Sequence, residues 1–419
     1  MAKREVITAL DIGSSKVVFA VAEYVRDNEI ATEIVSHGVY SCSGVSAGTV
    51  ANMEVTAKAI EQALDSIRKG RYPTDDVIVN ISGQHVESRC GRGLIAVGGE
   101  EITDVQIEMA KMAARQVDNL PSGYEVVSVI PRDFIVDGKN SIVSPKFMVA
   151  QRLEAEAYVC VANSQYLENI NRVVNLAGLQ IHKRGLVPSA LVSALSVLTE
   201  DEKDVGAACI DIGHGVIDLA VFRKGAVLYS ASVGLGGSSI IADVSNLFNI
   251  SELNARHQIE TIGVADAEYL DKNEAERVCS VESVSRNDST LSKFTRGELA
   301  DVISARLDDF FDWIKKQFEY VSSRFGLRIP SVIFTGGVSG LNRLAQRANK
   351  VLQVPVRIAQ PCYPARIPAK LAKSEFSTVI GLLIYGINYL SNEEHRNIRN
   401  IKLSWIDRLN DWFDKLKWF

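Results

Sequence analysis

The sequence predicts an α/β chain folded into two lobes, with an α+β insert in the first lobe and an amphipathic helix at its C-terminus. Three observations carry this. Ala208-Cys209-Ile210-Asp211-Ile212-Gly213-His214-Gly215-Val216-Ile217-Asp218-Leu219-Ala220-Val221-Phe222 is an apolar run that reaches an aspartate, breaks at Gly-x-Gly and resumes with strand alternation, which is the pattern of a hairpin. About two hundred residues earlier, Ala9-Leu10-Asp11-Ile12-Gly13-Ser14-Ser15-Lys16-Val17-Val18-Phe19-Ala20 repeats the same entry and exit. A third turn, Val332-Ile333-Phe334-Thr335-Gly336-Gly337-Val338-Ser339-Gly340-Leu341, sets a glycine pair after a strand and before a predicted helix.

Glycines at such tips let the backbone come close to a ligand, and turn N–H groups pointing one way form an anion nest. A strand-end carboxylate beside that nest can hold a hydrated Mg²⁺. Taken singly, each hairpin reads equally as a plain turn, each aspartate as the cap of its own turn, and Lys16 as a solvated turn lysine. Two facing hairpins with a late Gly-Gly turn make a two-lobed nucleotide clamp.

The three turns resemble the two phosphate motifs and the adenosine motif of the actin, Hsp70 and sugar kinase superfamily. The resemblance implies an actin-like two-lobed ATPase fold that takes ATP and Mg²⁺. Gly13, Ser14, Ser15 and Lys16 would then face the β- and γ-phosphates, and Gly213, His214 and Gly215 would form the second phosphate turn. Asp11 and Asp211 would hold Mg²⁺ through water. Gly336 and Gly337, with Asn342 beside them, would lie against the adenosine and its α-phosphate. The chain departs from the pattern at His214 and Val216, where the resemblance leads one to expect glycine and threonine. It departs again over 251–257, where the family places a ribose-contacting Glu and Lys. No carboxylate or Gln is placed to orient an attacking water, so ATP binding is the firmer expectation than rapid hydrolysis.

At 419 residues the chain has room for more than one domain, and 47% hydrophobic with 23% charged residues is an ordinary globular composition. A net charge of −5 gives no footprint for nucleic acid. Cys42, Cys90, Cys160, Cys209, Cys279 and Cys362 are widely spaced, without a C-x-x-C pair, and are expected to be small core residues in a reducing cytoplasm. Met1-Ala2-Lys3-Arg4-Glu5-Val6-Ile7 runs straight into the first motif, which leaves no room for a signal peptide, and no apolar run reaches the roughly 18 residues of a membrane span.

Taken in order, residues 1–82 and 163–196 are expected to form the first lobe core. It includes a helix capped by Asn52, with Val55, Ala59, Ile60, Ala63, Leu64 and Ile67 inward and Gly70 past its end, then a strand over 76–82. Residues 83–162 break that alternation: a strand pair, a helix opened by the capping box Thr103-Asp104-Val105-Gln106, and further strands over 124–162. Within it, Ile130-Pro131-Arg132-Asp133-Phe134-Ile135-Val136-Asp137-Gly138 and Arg152-Leu153-Glu154 resemble the insert of the FtsA family of bacterial cell division proteins. Ser144-Pro145-Lys146-Phe147-Met148-Val149-Ala150-Gln151 departs from the family's Asn-Pro and Gly-Met. Helices are expected over 164–178 and 185–198. The second lobe core is expected over 197–240 and 329–390, ending in an apolar helix over 374–390 that crosses back to the first lobe. Between them lies a helical subdomain over 241–328, with a loop-rich stretch at 271–292. Its longest helix opens at the capping box Thr295-Arg296-Gly297-Glu298 and closes at Gly326, with apolar residues at helical period from Leu299 to Val321.

Residues 391–400 read as a polar linker and 401–419 as an amphipathic helix. At about 100° per residue, Trp405, Ile406, Leu409, Trp412, Phe413, Leu416 and Phe419 share one face, with Asp407, Asn410, Asp411 and Asp414 opposite. Arg408, Lys415 and Lys417 border the aromatic face and can snorkel toward lipid head groups, the arrangement of a helix lying in a membrane interface. A helix docked on the protein body is the alternative.

The resemblance to FtsA covers essentially the whole chain. It implies an ATP-binding cell division protein that polymerises on the inner face of the cytoplasmic membrane and recruits later division proteins through the insert. It also implies a site for the C-terminal peptide of FtsZ on the helix from Thr295, where Arg306 falls at the family's basic position and Arg296 lies near it; both read equally as solvated helix-surface arginines. A superfamily small-molecule kinase and a PilM-like pilus-assembly adaptor are the alternatives, and neither accounts for the aromatic tail.

Overall fold

In this computed structural model the described residues are 4–25, 28–67, 72, 74–117, 120–142, 144–284, 291–362 and 367–390. The predicted linker and terminal helix, and Gly70, lie outside them.

The first lobe opens on the first predicted hairpin, β1 (Arg4–Ile12) and β2 (Lys16–Val25), in register from Arg4↔Val25 to Ile12↔Val17. A strand absent from the sequence prediction, β3 (Asn28–Ser41), adds antiparallel to β2. After the short ladder of β4 (Val45–Ser46) and β5 (Thr49–Val50) comes α1 (Met53–Asp65), capped by Asn52, whose Oδ1 accepts the Val55 N–H at 3.0 Å. Ala59, Ile60, Ala63, Leu64 and Ile67 are buried as expected. Val55 is 39% exposed, and Thr56 and Ala57 face inward in its place. β6 (Asp76–Ile81) pairs parallel to β1.

The insert follows. Its expected strand pair is one long strand, β7 (Val86–Glu101). Gly98 and Gly99, at φ +78° and +84°, form a bulge within the ladder instead of a hairpin turn. α2 (Asp104–Ala114) starts at the predicted capping box, where the Thr103 N–H donates to Gln106 Oε1 at 3.1 Å. β8 (Tyr124–Val136), β9 (Lys139–Ile142) and β10 (Val149–Asn163) complete an antiparallel sheet of order β7-β10-β8-β9.

α3 (Ser164–Leu176) buries Ile170, Val173 and Val174 against the first sheet and Leu167 in the core shared between the lobes. The helix expected over 185–198 starts only at Ser189. Before it, β11 (Gln180–Pro188) pairs parallel to β6 through Leu186↔Val79, Val187↔Asn80 and Pro188↔Ile81, and a residue before proline is biased toward extended backbone. α4 (Ser189–Val197) then leads out of the lobe, and α5 (Glu200–Val205) follows.

The second lobe repeats the plan. β12 (Ala207–Ile212), β13 (Ile217–Arg223) and β14 (Ala226–Val233) form a meander, of which only the first two strands were predicted. α6 (Gly237–Phe248) and α7 (Glu252–Ile262) begin the helical region. The stretch expected to be loop-rich holds, in its described part, α8 (Lys272–Ala275) and a ribbon of β15 (Val278–Glu282) and β16 (Leu291–Thr295), fixed by the burial of Val281 and Phe294. α9 (Arg296–Phe325) has the predicted limits, with Thr295 and Glu298 capping each other and Gly326 left-handed at φ +62°. β17 (Val332–Thr335), α10 (Leu344–Leu352) and β18 (Val356–Ile358) close the sheet.

The two large sheets have one topology. Their orders, β3-β2-β1-β6-β11 and β14-β13-β12-β17-β18, each place an antiparallel meander beside two parallel strands, with β1 and β12 central. Between the sheets lie α4 and α11 (Ser377–Tyr385), which follows a 3₁₀ turn (Ser374–Phe376) and passes into a π turn (Gly386–Leu390). Both helices are apolar all round and share one core with Ala9 of β1 and Cys209 of β12. Of the six cysteines, which are all free thiols, Cys42, Cys160 and Cys209 are core residues as expected, while Cys90 and Cys362 are exposed and Cys279 is half-buried.

Candidate functional site

Equivalent turns of the two sheets meet. The β1–β2 turn closes with Gly13 N–H donating to Lys16 O at 3.0 Å, and the β12–β13 turn with Gly213 N–H donating to Val216 O at 2.9 Å. They touch at their tips, where a Cβ on Gly215 would come within 2.7 Å of Ser14 Oγ. Among the described residues, the backbone N–H groups of Ser14, Ser15, His214 and Gly215 have no acceptor, which is the condition for an anion nest. The N-terminus of α6 does not join them: Gly237 N–H donates to Gly213 O at 3.0 Å and Ser238 N–H to His214 O at 2.7 Å.

The aspartates converge at the same place. Asp211 Oδ2 accepts Ser193 Oγ of α4 at 2.5 Å and Thr378 Oγ1 of α11 at 3.2 Å. Asp11 is buried, and desolvation raises its carboxyl to about 7, with Lys16 opposing and Asp211 adding to the rise. Desolvation also raises Asp211. Sequence reasoning missed a third member, Asp218, which pairs directly across the ladder from Asp211. Burial raises it to about 7; Ser232 donates to Oδ1 and Ser82 Oγ to Oδ2 at 2.7 Å. The remaining supports are also polar residues in apolar elements. Asn80 accepts the Ile12 N–H at 2.7 Å and donates to Ser189 Oγ at 3.1 Å. Such lone hydroxyls and amides inside apolar strands and helices were the available signal.

The other predicted residues separate. Lys16 is held by Glu375 of the 3₁₀ turn, so the solvated-lysine alternative is not what the structure holds. Gly336, at φ +87°, lies so close to Asp211 that a Cβ would overlap Oδ1, whereas a Cβ on Gly337 would meet open space. Asn342 is exposed, and its carbonyl accepts the Ala265 N–H at 2.9 Å. Val216 faces the core. His214 is pushed down by desolvation first, then by Arg256, with Glu252 of α7 opposing. Arg306 makes a two-pronged pair with Asp243, at 2.6 and 2.9 Å, and a third bond to Asp309 at 2.8 Å. Arg296 donates to Ile262 O at 3.0 Å and Glu274 at 2.9 Å.

The carboxylates give a pH prediction. Asp218 has a folded pKa of about 7 against an ordinary 3.8, so the folded state holds its proton where the unfolded chain has lost it, and this group costs stability increasingly as pH rises from about 4 to 7. His85, pushed down to about 4 by burial, works in the opposite direction below its ordinary 6.5. The comparison must therefore be between chains. Asp218→Asn is expected to gain stability over the wild type progressively across that window, by a few kcal/mol at pH 8; denaturant unfolding at pH 5 and pH 8 checks it.

A family model described as "Cell division protein FtsA" matches residues 208–381, and one described as "SHS2 domain inserted in FTSA" matches 83–161. The chain is 30% identical over 379 residues to the cell division protein FtsA of Neisseria meningitidis, covering 90% of this chain and 89% of that one. It is 30% identical over 367 residues to that of Bacillus subtilis, with 87% and 80% covered. Among solved structures, a PilM-PilN type IV pilus biogenesis complex matches at TM-score 0.65 and 17% identity, covering 91% of this chain and 98% of that one. MreB5 of Spiroplasma citri bound to ADP matches at 0.55 and 14%, with 94% and 98% covered. These two likenesses bear on the fold, which is actin-like with an SHS2 insert. The sequence similarity, running through both lobes and the insert, decides the family: the chain belongs to the FtsA family of cell division proteins.

Proposed function

We propose that this chain binds ATP between its lobes, polymerises as an actin-like filament on the inner face of the cytoplasmic membrane at the division site, and anchors FtsZ filaments there. The observation that carries this is the meeting of the two glycine turns beside the buried aspartates Asp11 and Asp211 where the two sheets face each other, in a chain of the FtsA family. Gly13, Ser14, Ser15 and Lys16 with Gly213, His214 and Gly215 cradle the phosphates, and Gly336 and Gly337 lie along the adenosine, with Asn342 at its edge. Asp11 and Asp211 fit a hydrated Mg²⁺, because they are buried, mutually repelling carboxyls whose shared cation is Lys16. When bound, the ion neutralises phosphate charge. ATP favours the closed lobes and head-to-tail association.

The C-terminal helix, through Trp405, Ile406, Leu409, Trp412, Phe413, Leu416 and Phe419, attaches the filament to lipid. One such helix binds reversibly, and many on one filament hold by avidity. The FtsZ C-terminal peptide docks beside α9, where an acidic peptide competes with Asp243 and Asp309 for Arg306, and Arg296 shapes the neighbouring turn. The insert contacts later division proteins. The test is co-sedimentation with anionic and neutral liposomes, with and without ATP, for the full chain and for one ending at Asn400. Pelleting of the full chain alone, strengthened by ATP, is expected. Equal behaviour of the two chains refutes the tether.

A further inference from the structure

Lys16, the cation of the first turn, is already engaged. Its ammonium is ion-paired with Glu375 and lies 4.1 Å from the centroid of the Phe376 ring. Glu375 sits in the 3₁₀ turn that opens α11, and this turn is fixed to the second lobe. Ser374 O accepts the Gly336 N–H and Thr335 Oγ1, each at 3.2 Å. A carboxylate anchored to the second lobe therefore occupies the ammonium of the first lobe's phosphate turn. The same ammonium acts on Asp11 and Asp211. A Lys ammonium is a single point charge with three donors. It does not neutralise Glu375, the two aspartates and an arriving phosphate together.

We propose that Glu375 is a built-in competitor for nucleotide phosphate. It holds Lys16 while the cleft is empty and gives it up when the phosphate chain arrives, so it sets the affinity of the site and opposes the more highly charged nucleotide more strongly. This rests on the nucleotide reading of the cleft. The pair spans the lobes, so its release accompanies any rearrangement between them. With Lys16 20% exposed and Glu375 38% exposed at their side chains, the contact is partly screened, and its removal is worth no more than about fivefold in affinity. Phe376 remains in place beside Lys16 when the carboxylate is neutralised.

The experiment is titration of fluorescent ATP and ADP analogues, with Mg²⁺, into the full chain and its Glu375→Gln, Glu375→Ala, Lys16→Gln and Lys16→Gln/Glu375→Gln variants. Both Glu375 variants are expected to bind the ATP analogue tighter, by up to about fivefold, with a smaller gain for ADP. In the Lys16→Gln background the Glu375 change is expected to have little effect, because the contested cation is gone. Wild-type binding that is unchanged or weakened in both Glu375 variants, with their thermal midpoints unaltered, overturns the competition alone. A wild type that binds neither analogue overturns the nucleotide reading, and this inference with it.

Discussion

Asp211→Asn is expected to lower ATP affinity by about 100-fold in the presence of Mg²⁺ while leaving the nucleotide-free protein as stable or more stable. The two effects have one cause. Asp211 is buried, lies opposite Asp218 in the ladder, and shares its cation with Asp11. Carboxylates directly opposite each other destabilise a strand pair, so neutralising one relieves the empty protein. The charge that burdens the fold is the charge that would attract a divalent cation. Asparagine also keeps an oxygen for Ser193 and Thr378 to donate to. Isothermal titration with Mg-ATP and denaturant unfolding of the nucleotide-free chain read the two quantities separately. An affinity within about threefold of wild type, below the roughly tenfold that losing an ion's supporting group costs at the least, would remove Asp211 from the site.

The larger effect on stability is expected at Gly381→Val. Gly381 lies where α11 crosses α4, and a Cβ there would overlap the carbonyl oxygen of Val192. The obstacle is helix backbone, so no side-chain rotation relieves it. Moving α4 shifts Ser189 from Asn80 and Ser193 from Asp211, which disturbs both turns at once. A cost of more than about 3 kcal/mol is expected, read as a lowered denaturant midpoint or loss of folded protein. Gly337→Ala is the matched control: its Cβ meets open space, and a change within about 0.5 kcal/mol is expected.

Local chemistry made much of this molecule legible in advance. The limits of α9 follow from Thr295 and Glu298 at one end and a left-handed Gly326 at the other, with an uninterrupted helical period between them. The two hairpins carried their register in their own alternation, and Asn52 marked the start of α1 through its side-chain oxygen. These features depend on neighbours a few residues away, and so are written in contiguous sequence.

Features that depend on distant partners were not legible in this way. β3 and β14 join their sheets as third strands by pairing with β2 and β13, and the expected strand pair of the insert is the single strand β7 because β10 pairs with it on both sides of the Gly98-Gly99 bulge. Residues 185–188 belong to a strand because β6 offers them hydrogen bonds. The site divides on the same line. Asp11, Asp211 and the glycine turns could be named from their motifs, while Asp218, Asn80, Ser193 and Glu375 gain their meaning from atoms up to 359 residues away in sequence. Contiguous sequence carried the hairpins and the caps, and the motifs pointed to the family. Packing across the lobes settled that Asp11, Asp211 and Asp218 share one buried space and that Glu375, outside it, holds Lys16, because desolvation and Coulomb interaction depend on distance through space.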